Sequence, residues 1–391
     1  MKAGITALVA AYVLSQFYRA FLAVLAPFLK VDIGATAQDL AAASGYWFLT
    51  FALMQLPIGS ALDRIGPRIT ASVLLAVGAV GAAVFAMAAG PVALKLAMAL
   101  IGVGCAPVLM ASYYLFARTF APAVFGTLAG VVIGVGSLGN IAASLPLSMA
   151  ANAFGWRETV WALAAVTLLT AGAIAVLVRD PPRQTNSKTG SILDLLRIPA
   201  LWPVLIMMAA CYAPAAGLRG LWAGPYLTEV FTADAARIGT VTLIMGLAMV
   251  AGNFAYGPLD RLLGTRKWLI ITGNAIVAAV FIRLALAPEV GGWQTLALFS
   301  LAGLCGASFP MVMAHGRAFL PTHLMGRGVT LLNLFGIGMA GVMQLATGRL
   351  HAAFGPATPE NTAPYAAVFG VYAALIVVGL AIYAFSRDRT D

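Results

Sequence analysis

Two arginines stand where arginine is costly. Arg19 and Arg219 each fall inside a long apolar run, 200 residues apart in a chain of 391. A guanidinium at such depth costs about 2.5–3.5 kcal/mol on insertion scales, so it must face a cavity or a partner. Each leads into a similar string that ends in proline, Arg19-Ala-Phe-Leu-Ala-Val-Leu-Ala-Pro27 and Arg219-Gly-Leu-Trp-Ala-Gly-Pro225. All 13 Asp and Glu fall in loops, tails or near the ends of apolar runs, so the sequence offers these arginines no acid at mid-run. A planar fork of N–H donors suits a bidentate carboxylate or phosphate. The pair therefore predicts an anion-binding site in a central cavity. Polar and aromatic residues at helical spacing extend it: Gln16 and Tyr18 around Arg19, Tyr212 and Trp222 around Arg219, and Tyr46, Tyr113, Asn140, Asn253 and Asn333 in other runs. Hydrogen bonding between helices is the competing role for each of these.

Soft ligands form a second constellation. Met245 and Met249, and again Met339 and Met343, place two thioethers on one helix face; Met207 and Cys211 repeat the spacing, and Met311, Met313 and His315 cluster. Thioether, thiolate and imidazole suit Cu(I), although methionine more commonly fills gaps in a core, and two buried arginines repel a bare cation. The three cysteines lie far apart within apolar runs and make no disulfide framework or Cys-x-x-Cys site. No nucleophile–base constellation and no phosphate-binding Gly-x-x-x-x-Gly-Lys loop occurs, so neither an enzyme nor an ATP-driven pump is expected, and no cofactor is implied.

The elements that must carry these groups follow from composition. The chain is 62% hydrophobic and only 9% charged, too few charges to clothe a water-soluble domain. Apolar runs of about 20 residues suit membrane helices. Twelve are predicted, near 4–29, 40–62, 69–89, 92–117, 123–150, 158–178, 200–228, 237–258, 268–287, 294–316, 326–349 and 365–385. The polar stretch Arg179–Pro199, with Pro181-Pro182, reads as a cytoplasmic linker between two six-helix bundles, 1–178 and 200–391. Fifteen of the 23 Lys and Arg then fall on one side, among them Arg64, Arg68, Arg118, Arg261, Arg266 and Lys267. That bias puts both termini in the cytoplasm, in a bacterial inner membrane. It also explains the net charge of +10 without a nucleic-acid partner. The expected partners are the lipid bilayer and a small anionic solute, with the monomer as the working unit.

The halves resemble each other. Gly59-Ser-Ala-Leu-Asp63-Arg64-Ile-Gly66-Pro-Arg68 follows the second run, and Gly257-Pro-Leu-Asp260-Arg261-Leu-Leu-Gly264-Thr-Arg266-Lys267 follows the eighth. A duplicated six-helix unit is the mark of a transporter built from repeats. These loops, with Gly155-Trp156-Arg157 and the 6+6 division, resemble the major facilitator superfamily. The resemblance implies an all-α fold of twelve transmembrane helices in two pseudo-symmetric bundles, working by alternating access. It also assigns the two loops, through Asp63, Arg64, Asp260 and Arg261 with their glycines, to an inner gate, where a carboxylate can face a helix N-terminus. Paired arginines on helices 1 and 7 are similar to the family's organophosphate/phosphate exchangers. The Met spacing is similar to its CcoA-like copper importers, though the His-x-x-x-Met of that branch has no match on the eighth run. Met98 stands where proton-handling members carry arginine, and no carboxylate sits at mid-membrane. The reading is an anion exchanger or gradient-driven uniporter rather than a carboxylate-coupled proton symporter, with a copper importer or a carrier of a neutral metabolite as alternatives.

Overall fold

The computed structural model describes residues 2–120, 122–181, 192–289, 291–321 and 324–389; side-chain surroundings are described for these except at 2, 122–127, 192–193 and 326. The core of the expected linker, 182–191, lies outside the described residues. The chain divides into two compact units, Met1–Asn186 and Ser187–Asp391.

The first unit contains six segments, numbered spans 1 to 6. Span 1 is Lys2–Tyr18 with Phe21–Ile33, span 2 Ala37–Arg64, and span 3 Pro67–Ala86. Span 4 is Pro91–Cys105 with Pro107–Thr119, span 5 Pro122–Ala142 with Leu145–Phe154, and span 6 Trp156–Leu177. The second unit opens on the short helix Ile192–Leu196. Span 7 then runs Pro199–Phe231, span 8 Ala235–Leu263, and span 9 Arg266–Leu286. Span 10 is Trp293–Gly306 with Phe309–Arg317, span 11 Met325–Ala353, and span 12 Ala363–Tyr383.

Among the described residues, nine helices are long and apolar enough to cross a membrane, and the bent pairs of spans 1 and 5 bring the number to eleven. Span 2 is the twelfth. Its 28 residues reach about 42 Å at 1.5 Å per residue, but Tyr46, Thr50 and Gln55 and its charged ends make it less apolar than the rest.

Local chemistry sets the boundaries. Thr36 and Asp39 form a reciprocal capping box at the start of span 2. Proline occupies the first turn of spans 3, 4 and 12, where its missing N–H costs nothing. Glycine governs the packing of span 1 on span 5, because a Cβ at Gly139 would run into the Val13 carbonyl. Arg157 fastens three loops of the first unit, donating to Asp32 at 3.0 Å and to the carbonyls of Ala86 and Ala88 at 2.8 and 2.9 Å.

Candidate functional site

Arg19 sits at a break. Span 1 stops at Tyr18, bends by 49°, and restarts at Phe21, with Ala20 N–H closing a tight turn on the Phe17 carbonyl. No proline causes this, since Pro27 lies two turns further on. The guanidinium lies over the faces of Phe51 and Trp47 of span 2, at 4.8 and 5.4 Å from the ring centroids. Each such contact is worth about 0.5–2 kcal/mol, more as water is removed. Gln16 donates to the Tyr12 hydroxyl at 2.7 Å, and both side chains pack over Gly136 of span 5, where a Cβ would strike the Tyr12 ring. Tyr113 of span 4 and Asn140 of span 5 are half-buried, and the Tyr113 phenol lies near that of Tyr12. Tyr12, Gln16 and Arg19 thus form one stripe. Sequence reading missed Tyr12, although 12, 16 and 19 are spaced i, i+4, i+7. Tyr18 turns the other way: it is 1% exposed and its hydroxyl is 2.9 Å from Thr167 of span 6, a fastening between helices. Tyr46 is exposed on span 2.

Arg219 sits in an unbroken helix with one widened turn. Leu218–Trp222 is a π-helical turn, with Ala223 N–H reaching back five residues to the Leu218 carbonyl. Pro225 explains it: a proline ring clashes with the carbonyl four residues before it, here Leu221, and a wider turn relieves the clash. Arg219 is 6% exposed. Its Nη1 points at the Met249 sulfur of span 8, 4.0 Å away, across Gly246, which leaves the room. Trp222, three residues on, is fully buried and donates to Thr347 of span 11 at 3.2 Å. Tyr212 packs its ring on Phe309, centroids 4.9 Å apart. Asn333 is half-buried and Asn253 exposed.

The soft ligands fall in two places within the second unit. Met207 and Cys211 belong to an apolar cluster with Met311, and His315 borders it with both ring nitrogens engaged, Nδ1 at 2.6 Å from the Tyr383 hydroxyl and Nε2 at 3.0 Å from the Arg387 carbonyl. Met245 and Met249 instead pack where a Cβ on Gly303 of span 10 would lie, with the Met249 sulfur turned to a cation. Among the described residues, no group of three or more His, Cys, Asp or Glu is placed to hold a metal ion.

The two motif loops are built alike, with one surprise. Gly66 holds φ at 105°, a conformation that favours glycine, and a Cβ there would strike the Asp180 carboxylate. Asp180, just past span 6, accepts from Arg68 N–H at 2.8 Å, at the N-terminus of span 3. In the second unit Asp388, just past span 12, accepts from the Thr265 hydroxyl and from Lys267 N–H at 3.0 Å, at the N-terminus of span 9. Burial alone would raise the Asp388 carboxyl, but these hydrogen bonds outweigh it and hold the group below its ordinary value. So the acids on helix N-termini are Asp180 and Asp388 rather than Asp63 and Asp260. Asp63, Arg64 and Arg68 are exposed, as are Gly257, Arg261 and Gly264, while Gly59 is half-buried. Asp260 pairs with Arg266 of its own loop at 3.3 Å. The signal was present in the sequence: Arg179-Asp180 and Arg387-Asp388 close the two halves in the same way.

Glu229 lies on the last turn of span 7, near the end of its run as the sequence places it. Its side chain is only 11% exposed and takes a 2.6 Å hydrogen bond from Tyr365, so it turns in among the helices.

Two apolar six-helix units, each with a central arginine in its first span and a motif loop between its second and third, define a multi-pass membrane transporter rather than an enzyme. The profile of the Major Facilitator Superfamily matches residues 8–218, and the chain belongs to that family. A hexuronate transporter of Bacillus subtilis (strain 168) is 24% identical over 180 residues, 46% of this chain and 43% of that protein. The uncharacterised transporter YybO of the same strain is 27% identical over 165 residues, 42% of this chain and 36% of that one. The chain thus matches less than half the length of these curated relatives. Among solved structures it is similar to a point mutant of the nucleoside transporter NupG, with a TM-score of 0.77 at 12% identity, covering 98% of this chain and 99% of that one. A D-xylose-proton symporter gives 0.76 at 14%, covering 98% of both. A bacterial homologue of the human lysosomal transporter Spinster gives 0.75 at 17%, covering 97% and 95%. At such identities these structures speak to the fold alone.

Proposed function

We propose that this chain carries a small organic anion across the membrane by alternating access, with carboxylate-bearing sugar acids the leading class. Arg19 and Arg219 are the anion-binding groups, one from each unit. The observation that carries this reading is the repeated irregularity. The first span of each unit departs from a regular helix at its one mid-span arginine, by a 49° break in one and a π turn in the other. Irregular backbone at membrane depth is tolerated where it lines a cavity, and π turns concentrate at functional sites. The likeness to a hexuronate transporter supports a carboxylate over a neutral solute. Gln16, Tyr12, Tyr113 and Asn140 are offered as hydroxyl and ring contacts in the first unit. Exchange, or uniport down a gradient, needs no nucleotide. Copper transport gains nothing from the placement of Met249 against a guanidinium and of His315 against Tyr383. The excess of Lys and Arg in the motif loops supports cytoplasmic termini in a bacterial inner membrane, and each chain is proposed to work as a monomer.

The test is a thermal-shift series on the purified chain with D-glucuronate, D-galacturonate, inorganic phosphate, D-glucose and Cu(I), followed by counterflow in liposomes. Stabilisation by the hexuronates, lost in R19Q and R219Q, is expected. Equal stabilisation of wild type and both variants would overturn the site, and a response to D-glucose or Cu(I) alone would overturn the substrate class.

A further inference from the structure

Toward one end of the second unit a carboxylate, an imidazole and a phenol meet out of water. Glu229 stands on the last turn of span 7, His351 on the last turn of span 11 and Tyr365 on the first turn of span 12. The Tyr365 hydroxyl donates to Glu229 Oε2 at 2.6 Å, and His351 Nε2 lies 3.6 Å from the same oxygen. The His351 and Glu229 side chains are 7% and 11% exposed, and Tyr365 is fully buried. A separation of 3.6 Å is an ion-pair distance but longer than a hydrogen bond, so a small approach by the imidazole makes a charged one.

Counting protons shows what such a pair can do. With one proton shared between them, carboxylate plus imidazolium or acid plus imidazole, the pair is neutral. Losing that proton leaves a net negative charge on two largely buried groups. Other polar groups lie on the elements around the pair. Tyr226 on span 7 sends its hydroxyl to the Pro288 carbonyl, Tyr372 on span 12 is a neutral phenol, and Arg237, Arg283, Asp234, Glu289 and Arg349 of the neighbouring elements are exposed.

The pair is also joined to the proposed anion site. The Trp222 ring lies tilted against His351, centroids 5.2 Å apart and planes 34° apart, and Trp222 shares its π turn with Arg219. A charge arriving on the imidazole therefore acts on an indole carried by the same π turn as Arg219.

We propose that Glu229 and His351, completed by Tyr365, form a proton-binding site, and that its occupancy is coupled to Arg219 through Trp222. One proton enters from water on one side and leaves to water on the other, with no other exchange. This supplies an ionisable pair near the ends of its spans, and adds proton coupling to the exchange or uniport proposed above. The coupling clause rests on the reading of Arg219 given above; the proton site does not.

A fluorescence titration of the purified full chain between pH 4.5 and 9 tests the site without a substrate, since a protonated imidazole quenches an indole in contact with it. A single step is expected in wild type, lost in W222F and H351Q and displaced in E229Q. No step in wild type, or the same step in H351Q, overturns the proposal. Should H351Q fail to fold, E229Q decides, because it is isosteric and can keep the Tyr365 hydrogen bond; an undisplaced midpoint overturns it. In proteoliposomes with D-glucuronate as probe, the ratio of proton-gradient-driven uptake to counterflow should fall at least tenfold in E229Q, and an unchanged ratio overturns the coupling. Failure of wild type to carry D-glucuronate counts against the sugar-acid reading alone, because the titration still decides the proton site.

Discussion

The two units hold the same residue at the same address in different ways. In the first, the helix is broken at Arg19 and the guanidinium is spread over two aromatic faces. In the second, the helix runs on through a widened turn and Arg219 is buried, aimed past a glycine at the Met249 thioether. Aromatic faces accept a cation of either shape, whereas a buried position passing Gly246 toward Met249 is filled by the planar fork. A repeat thus preserves where a charge sits more faithfully than what surrounds it.

Substitutions can break this comparison in order of size. R19Q and R219Q should each lower counterflow by about 100-fold or more, two decades at roughly 1.4 kcal/mol each. Lysine then separates the sites. R19K keeps a cation over Trp47 and Phe51 and should retain about a third to a tenth of wild-type rate, whereas R219K should fall by more than about tenfold. Equal losses would show that the surroundings do not matter. In the scaffold, G139A should destabilise the first unit by about 1–3 kcal/mol, because its Cβ meets the Val13 carbonyl. G130A and G134A, with open space around them, should unfold at the wild-type temperature in the same scan.

The motif loops give smaller effects. D388N should lower the thermal midpoint by about 2–4 °C at neutral pH, as expected for about 1 kcal/mol in a unit of this size. Asp388 is held below its ordinary value when folded. Its contribution is therefore whole above the ordinary carboxylate range and disappears as pH falls through the folded value. Melting curves of wild type and D388N should stay apart down to the ordinary carboxylate value of about 3.9 and converge only as pH falls further, through the lowered folded value; a gap that does not narrow there would contradict the hydrogen-bonded carboxylate. Smallest of all, Y12F removes the acceptor for Gln16, worth about 1 kcal/mol. It should slow counterflow about two- to fivefold and lower the melting temperature by no more than about 2–4 °C.

Most of the fold could be read from the residues. Apolar runs end at Gly, Pro or charge, and those ends fall within a few residues of the observed helices; the duplicated loops gave the division in two. Irregularity within a run was harder to read. The break at Arg19 and the π turn at Arg219 have the same apolar composition as the regular turns around them, and only Pro225 carried a hint. The burial of Glu229 was hard to read for a related reason. Distance from the end of a run measures depth, but not the direction in which a side chain turns. Asp180 and Asp388 lie outside the motif loops they fasten, and only the repeated Arg-Asp that closes each half marks them in the sequence.

Those two aspartates also bear on the order in which the protein assembles. Chains are made from the N-terminus, and a membrane unit forms as its helices emerge. The first turn of span 3 gains its carboxylate 112 residues after Arg68 is made. The first turn of span 9 waits 121 residues after Lys267, until Asp388 has been added. The first unit can therefore be fastened before any of the second has left the ribosome, whereas span 9 stays unclasped until spans 10, 11 and 12 have all been delivered. A nascent chain arrested just short of Asp388 should expose the loop of spans 8 and 9 to protease while leaving that of spans 2 and 3 protected.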